Sequence, residues 1–179
     1  MGWTIIILMS LSVFGYIGGT YFDSLSQNSF NVEYNGFTFV PQGDGYLSTI
    51  SGVQYFFVKP PTEVENITVP FNVVSLRTVP RVFMNYPTSA QDNVSATFDF
   101  MSRVFLLNNV ASQEVCLQEE GCGDLPILDC TIHDAVIFQI GLVSEYRVDG
   151  RCLYIQGSDV LELQTLSERV AYTFLGVLS

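Results

Sequence analysis

Hydrophobic and polar positions divide the chain into three kinds of stretch. The first, Trp3 to Phe22 (WTIIILMSLSVFGYIGGTYF), contains no Asp, Glu, Lys, Arg, His, Asn or Gln. Coiled as a helix, it reaches about 30 Å at ~1.5 Å rise per residue, the hydrocarbon thickness of a bilayer. Trp3 marks one interface, and Tyr16, Tyr21 and Phe22 mark the other. A cleaved signal peptide is the competing reading. It lacks a basic n-region here, and the candidate sites around Gly18, Gly19 and Thr20 do not match A-x-A. The expectation is an uncleaved signal anchor in the lipid bilayer, residues 3–22. Gly15 and Gly19 form a G-x-x-x-G pair, either a helix-dimer face or glycines tolerated in a membrane helix. Myristoylation is excluded by Ile6, where the motif needs Ser or Thr.

The second kind of stretch alternates with period two. After a polar linker, Asp23 to Ser29, residues 30–40 read FNVEY-NG-FTFV, two alternating runs around Asn35-Gly36, the signature of a type I′ hairpin. A second pair, YLSTI-SG-VQYFFV, turns at Ser51-Gly52. Alternation at Phe37 and Phe39, then Tyr55 and Phe57, predicts an antiparallel unit of about four strands packed on one face. Lys59-Pro60-Pro61 ends it, and residues 62–78 fit either a strand or a short helix.

The third kind mixes short apolar runs with helical periodicity. Arg81–Asn85 reads as a buried strand. Ser89 to Asn108 reads as a helix, with Ser89 as N-cap and Val94, Phe98, Met101 and Phe105 as its stripe. Val110–Val115 is the next strand, and the strand–helix–strand order predicts parallel pairing. After the acidic loop Cys116 to Cys130 come strands Ala135–Leu142 and Arg151–Gln156, expected as a hairpin through Tyr146–Gly150. A last helix runs from Asp159 to Leu175, with capping-box spacing at Asp159 and Glu162, a stripe of Val160, Leu163, Leu166, Val170 and Phe174, and Gly176 at C′. The fold class expected is α+β: an N-terminal transmembrane helix, an antiparallel β-hairpin unit, then a mixed-sheet β-α-β-β-β-α domain of loosely thioredoxin-like order. The corresponding domains are 1–22, 23–60 and 61–179.

Charge narrows the partners. The 18 acids outnumber 7 bases for a net charge of −11, and Lys59 is the only lysine. No Lys/Arg stripe exists to neutralise phosphates, which excludes nucleic acid and docking on anionic headgroups. The aromatic content of 13% excludes a disordered chain. Since no base precedes Lys59, the apolar run's own flanks fix no orientation.

Orientation rests on the cysteines and sequons. Cys116, Cys122, Cys130 and Cys152 allow three connectivities, of which 116–122 and 130–152 are favoured as structural bridges. A Cys₃His zinc set of Cys116, Cys122, Cys130 and His133 is the alternative; it has no C-x-x-C knuckle and leaves Cys152 over. No metal or other cofactor is expected. Asn66-Ile67-Thr68 and Asn93-Val94-Ser95 are glycosylation sequons, and with paired cysteines they place the domain outside the cell.

Motifs for chemistry are scarce. His133, the one histidine, lies between Asp129 and Asp134, without a G-x-S-x-G elbow or other nucleophile motif. Glu114, Glu119, Glu120, Asp124, Asp129 and Asp134 crowd the same loop without D-x-D-x-D-G calcium spacing. Gly43-x-Gly45 opens no helix and so is not a phosphate loop.

The run CGDLPILDC, the strand pair ending in RCLYIQGS and the helix ending in RVAYTFLGV resemble a group of uncharacterised archaeal proteins that also carry an N-terminal hydrophobic segment and an aromatic hairpin region. The resemblance implies a membrane-anchored extracytoplasmic domain and carries over no functional residue. Two functions follow as expectations. The first is a non-enzymatic structural or protein-interaction role in the cell envelope, with an envelope or membrane protein as partner. The second is an extracytoplasmic hydrolase or redox accessory using the acidic loop around His133.

Overall fold

The computed structural model of the chain describes residues 31–85, 91–117 and 123–179, the side chains of 91–93 excepted. The apolar run 3–22, its Gly15/Gly19 pair, the linker 23–29, the Ser89 cap and Cys122 lie outside the described residues. Among those described, no helix is long and apolar enough to cross a membrane.

Four strands come first: β1 Val32–Tyr34, β2 Phe37–Gln42, β3 Gly45–Ile50 and β4 Val53–Phe57. They form an antiparallel sheet in sequence order. Two of the three two-residue turns take positive φ at both positions, 47° and 82° at Asn35-Gly36 and 52° and 81° at Ser51-Gly52, while the middle one, Gly43-Asp44, does so only at Gly43. Positive φ at both positions is the type I′ geometry, whose twist matches the strands it joins. Phe39, Tyr55 and Phe57 are buried on the inner face.

The ambiguous stretch after Lys59 becomes a single helical turn, α1 Pro61–Val64, and a 3₁₀ turn, Val73–Arg77. Pro61 opens the helical turn at its first position, where its missing N–H is no loss. Then follow β5 Arg81–Asn85, α2 Gln91–Leu107, β6 Ala111–Glu114, β7 Ala135–Ile140, β8 Glu145–Asp149, β9 Cys152–Gly157 and α3 Val160–Leu175. The second sheet has five strands in the order β6-β5-β7-β9-β8. Strand β5 pairs in parallel with both β6 and β7, and β7 pairs in parallel with β9.

Here the expected hairpin is corrected. The strands at 135–142 and 151–156 are parallel neighbours, and β9 pairs antiparallel with an additional edge strand, β8. From β7 the chain therefore passes over the end of β9, runs down β8 and returns between the two. The passage is tied down by Gly141 N–H to Gly157 O at 2.9 Å and by Gln156 Nε2 to Val143 O at 2.9 Å. A Cβ on residue 141 would meet the end of the Gln156 side chain, which would have to give up its place beside the crossing.

Helices α2 and α3 cover one face of the second sheet. Val82, Met84, Val136, Phe138, Leu153 and Ile155 meet Val94, Met101, Phe105, Leu163, Val170 and Phe174 in one core. Val160, predicted on that stripe, is partly exposed, because it sits at the first helical position, short of the sheet. The same core continues into the first sheet: Tyr172 stacks on Phe57 at 4.3 Å and meets Phe39 edge-on at 5.7 Å. Residues Val32–Ser179 accordingly form one compact unit, and burial runs unbroken across residues 60 and 61. The opposite face of the second sheet is covered by the cysteine loop, where Val115 and Leu128 pack on Ala135, Ile137 and Cys152.

Helix α3 is closed at both ends as its sequence predicts. Asp159 Oδ1 accepts the Glu162 N–H at 2.8 Å, and Gly176 takes the left-handed conformation. Arg77 adds a cap by donating to the Phe174 carbonyl. Asp159→Ala is expected to cost about 1 kcal/mol, and Asp159→Asn far less, because asparagine keeps the acceptor. Urea midpoints of the two variants measure the difference.

Candidate functional site

The end of the first sheet holds the most site-like geometry. Pairing from the Ser51-Gly52 turn sets Ile50 opposite Val53, Ser48 opposite Tyr55 and Tyr46 opposite Phe57. In a two-residue hairpin the pair flanking the turn exchanges both N–H···O bonds, and bonding alternates from there. Gln54 and Phe56 therefore turn their N–H and C=O groups away from β3. Among the described residues no strand pairs with that outer edge. The next outward N–H, that of Val58, is taken by Glu168 Oε1 at 2.6 Å. The open edge is thus four backbone groups long, and α3 closes it at one end.

A cleft of about 410 Å³ follows this edge, bounded by Leu47, Gln54 and Phe56 of the sheet and by Asp99, Phe100 and Arg103 of α2. Helix α2 runs antiparallel to β4, since Phe100 meets Phe57 at 5.9 Å and Asn108 Nδ2 reaches the Tyr55 hydroxyl at 2.9 Å. Asp99 therefore lies towards the Phe57 end and Arg103 towards the Tyr55 end. Both are exposed, and among the described residues neither has a charged or hydrogen-bonding partner. On the outer face, the register Val40–Leu47–Phe56 makes an apolar row ending at the open edge. Val40 is 45% and Phe56 47% exposed.

Behind the cleft lies a buried polar network. Glu168 Oε2 accepts the Lys59 N–H at 2.8 Å, Gln164 Nε2 donates to Oε1 at 2.9 Å, and Tyr172 donates to the Lys59 carbonyl at 2.6 Å. Thr97 of α2 donates to Gln164 at 2.9 Å, so one network ties α3 to α2 and to the end of β4. Burial pushes the Glu168 carboxyl above the usual range, against the pull of these donors and of Lys59. Burial also raises the Tyr172 hydroxyl, with the nearby Glu168 charge adding to it. This is a latch rather than a reaction centre, because every polar atom is already engaged inside the fold.

The predicted site residues separate. Cys130 and Cys152 are bonded, with Cα atoms 5.2 Å apart. Cys116 is also in a disulfide, and its expected partner, Cys122, is outside the described residues. A Cys₃His zinc set is thereby corrected: the Cys130 sulfur is bonded to Cys152 and has no thiolate to give. No metal-binding cluster exists among the described residues. His133 is half-buried, its ring edge-on to Phe83 at 4.7 Å and its Nδ1 accepting the Asp129 N–H at 3.4 Å. Asp134 is paired with Arg151, and Asp129 accepts from the Thr131 N–H and hydroxyl, which hold its carboxyl below the ordinary range. The two acids flanking His133 therefore serve the turn. Asn66 and Thr68 of the first sequon are exposed, and Asn93 lies in α2 with its side chain outside the description.

Sequence reasoning missed Gln54, Phe56, Asp99, Arg103 and Glu168. Only the spacing Gln164–Glu168–Tyr172, one polar flank beside an apolar stripe, signals any of them. No protein family, curated protein or solved structure matches the chain.

Proposed function

We propose that the chain is a membrane-tethered extracytoplasmic domain with a protein-interaction or structural role in the cell envelope, anchored by residues 3–22. The observation that carries this reading is the Cys130–Cys152 bridge. Structural disulfides persist in oxidising compartments, and this one follows a segment long and apolar enough to tether the chain. The exposed Asn66 sequon supports the same placement. The loosely thioredoxin-like outline brings no redox chemistry with it, because the chain has no C-x-x-C. Against the hydrolase alternative, the two acids that flank His133 in sequence are held by other groups, Asp129 by Thr131 and Asp134 by Arg151.

Fractionation tests the placement. The full chain is expected to stay with membranes through alkaline carbonate extraction and to be digested by protease added to intact cells. A variant beginning at residue 23 is expected to leave the membrane fraction. Recovery of the full chain from the soluble cytoplasm with alkylatable thiols at 130 and 152 overturns the reading.

A further inference from the structure

We infer that the open edge of β4 is a docking site for an extended segment of a partner protein, added as a fifth strand to the first sheet and read by Asp99 and Arg103. The inference rests on the interaction role proposed above and gives it a location and a ligand chemistry.

The edge supplies the main-chain half of the argument. Gln54 and Phe56 present two N–H and two C=O groups, and only another extended chain satisfies them in register. An unpaired strand edge is normally blunted by charge, proline or a bulge. Strand β4 (VQYFF) has none of these, and it has the exposed Phe56.

Charge complementarity supplies the side-chain half. Asp99 and Arg103 are one helical turn apart, about 6 Å along the axis at ~1.5 Å per residue. Two residues of an extended strand span about 6.6 Å, so same-face neighbours on an incoming strand match that spacing. The residues opposite Phe57 and Tyr55 share the inner face with α2. The residue between them, opposite Phe56, lies on the outer face and extends the Val40–Leu47–Phe56 row. A strand entering antiparallel to β4 passes Asp99 first and Arg103 second. The segment that fits is therefore basic–apolar–acidic in the N-to-C direction.

Two blocked heptapeptides, TVKVEVT and TVEVKVT, test this on the full-length chain in detergent, read by the backbone amides of Gln54 and Phe56 in NMR titrations to millimolar peptide. The first is expected to shift those amides and to bind roughly fivefold more tightly than the second, the worth of two exposed charge pairs. The double variant Asp99→Lys, Arg103→Glu is expected to reverse the order. N-methylation of the central valine is expected to abolish the shifts. Absence of shifts at Gln54 and Phe56, or equal binding of both peptides to both proteins, overturns the site. So does self-association through the same residues, for which Arg147-Val148-Asp149 of a second copy has the required order. If the titration fails while the fractionation result stands, the β4 site is lost and the extracytoplasmic reading survives.

Discussion

Replacing Glu168 with alanine is expected to cost about 3 kcal/mol, a fall of roughly 10 °C in the melting midpoint of a chain this size. Three donors lose their acceptor at once: the N–H groups of Val58 and Lys59 and the Gln164 amide. A stranded buried donor costs about 1–3 kcal/mol, so three exceed the estimate. The offset is the carboxylate's own burial cost, which the variant removes. The loss should also be local at first. Strand β4 is held to α3 through Lys59, so amide exchange should quicken across Val53–Lys59 before it does in the second sheet. Unchanged stability and exchange would show that the latch contributes nothing net.

The same residue gives a pH signature. Its folded-state pKa is raised, so its contribution is fully present below the ordinary glutamate value and is lost as pH rises through the folded value. Glu168→Gln cannot ionise. Wild type should therefore gain on this variant as pH falls from about 7.5 to about 4, near the unfolded glutamate pKa. Equal slopes of stability against pH in the two proteins would mean that burial does not control Glu168.

Local signals carried most of the fold. Asn35-Gly36 and Ser51-Gly52 fix two of the three turns of the first sheet, because positive φ at adjacent positions suits few other pairs. Asp159 and Gly176 bound α3 for equally local reasons. The pairing of β7 with β9 was not legible, since it depends on a loop crossing a strand end and on contacts between Gly141 and Gly157 that are distant in sequence. Strand β8 hid for a related reason. Its EYRVD alternation is short, and the GLVS that precedes it is more apolar than a turn usually is.

The candidate site was illegible for a different physical reason. On α2, Asp99 and Arg103 occupy the polar face of an amphipathic helix, where charges are normally solvated. They acquire a role only because β4 is the last strand of its sheet and ends beside that face, a fact of sheet order. His133 shows the converse. Its acidic neighbours looked like chemistry in sequence, but Asp134 goes to Arg151, Asp129 to Thr131, and the ring to Phe83. One cysteine pair was readable because strand ends close in a sheet put Cβ atoms within bridging distance.

Removing that pair is the other large expected effect. The double variant Cys130→Ala, Cys152→Ala should lose about 3 kcal/mol, the chain-entropy value for a bridge of this span. The two cysteines are 22 positions apart, and the closed segment contains β7, β8 and the crossing between them. Cys152 is fully buried against Ala135, Ile137, Val115 and Leu128, so the lost sulfurs also thin the small core on the face of the second sheet opposite the helices. The Arg151 N–H to the Cys130 carbonyl, 2.7 Å, and the Arg151–Asp134 pair hold the same corner. They should keep the variant folded at a lower urea midpoint. Because Cys152 is buried, native wild type should resist mild reductant and lose the bridge only once urea exposes it. Alkylation of residues 130 and 152 in native, unreduced protein would contradict the bridge, and an unshifted urea midpoint in the double variant would show that the corner is held without it.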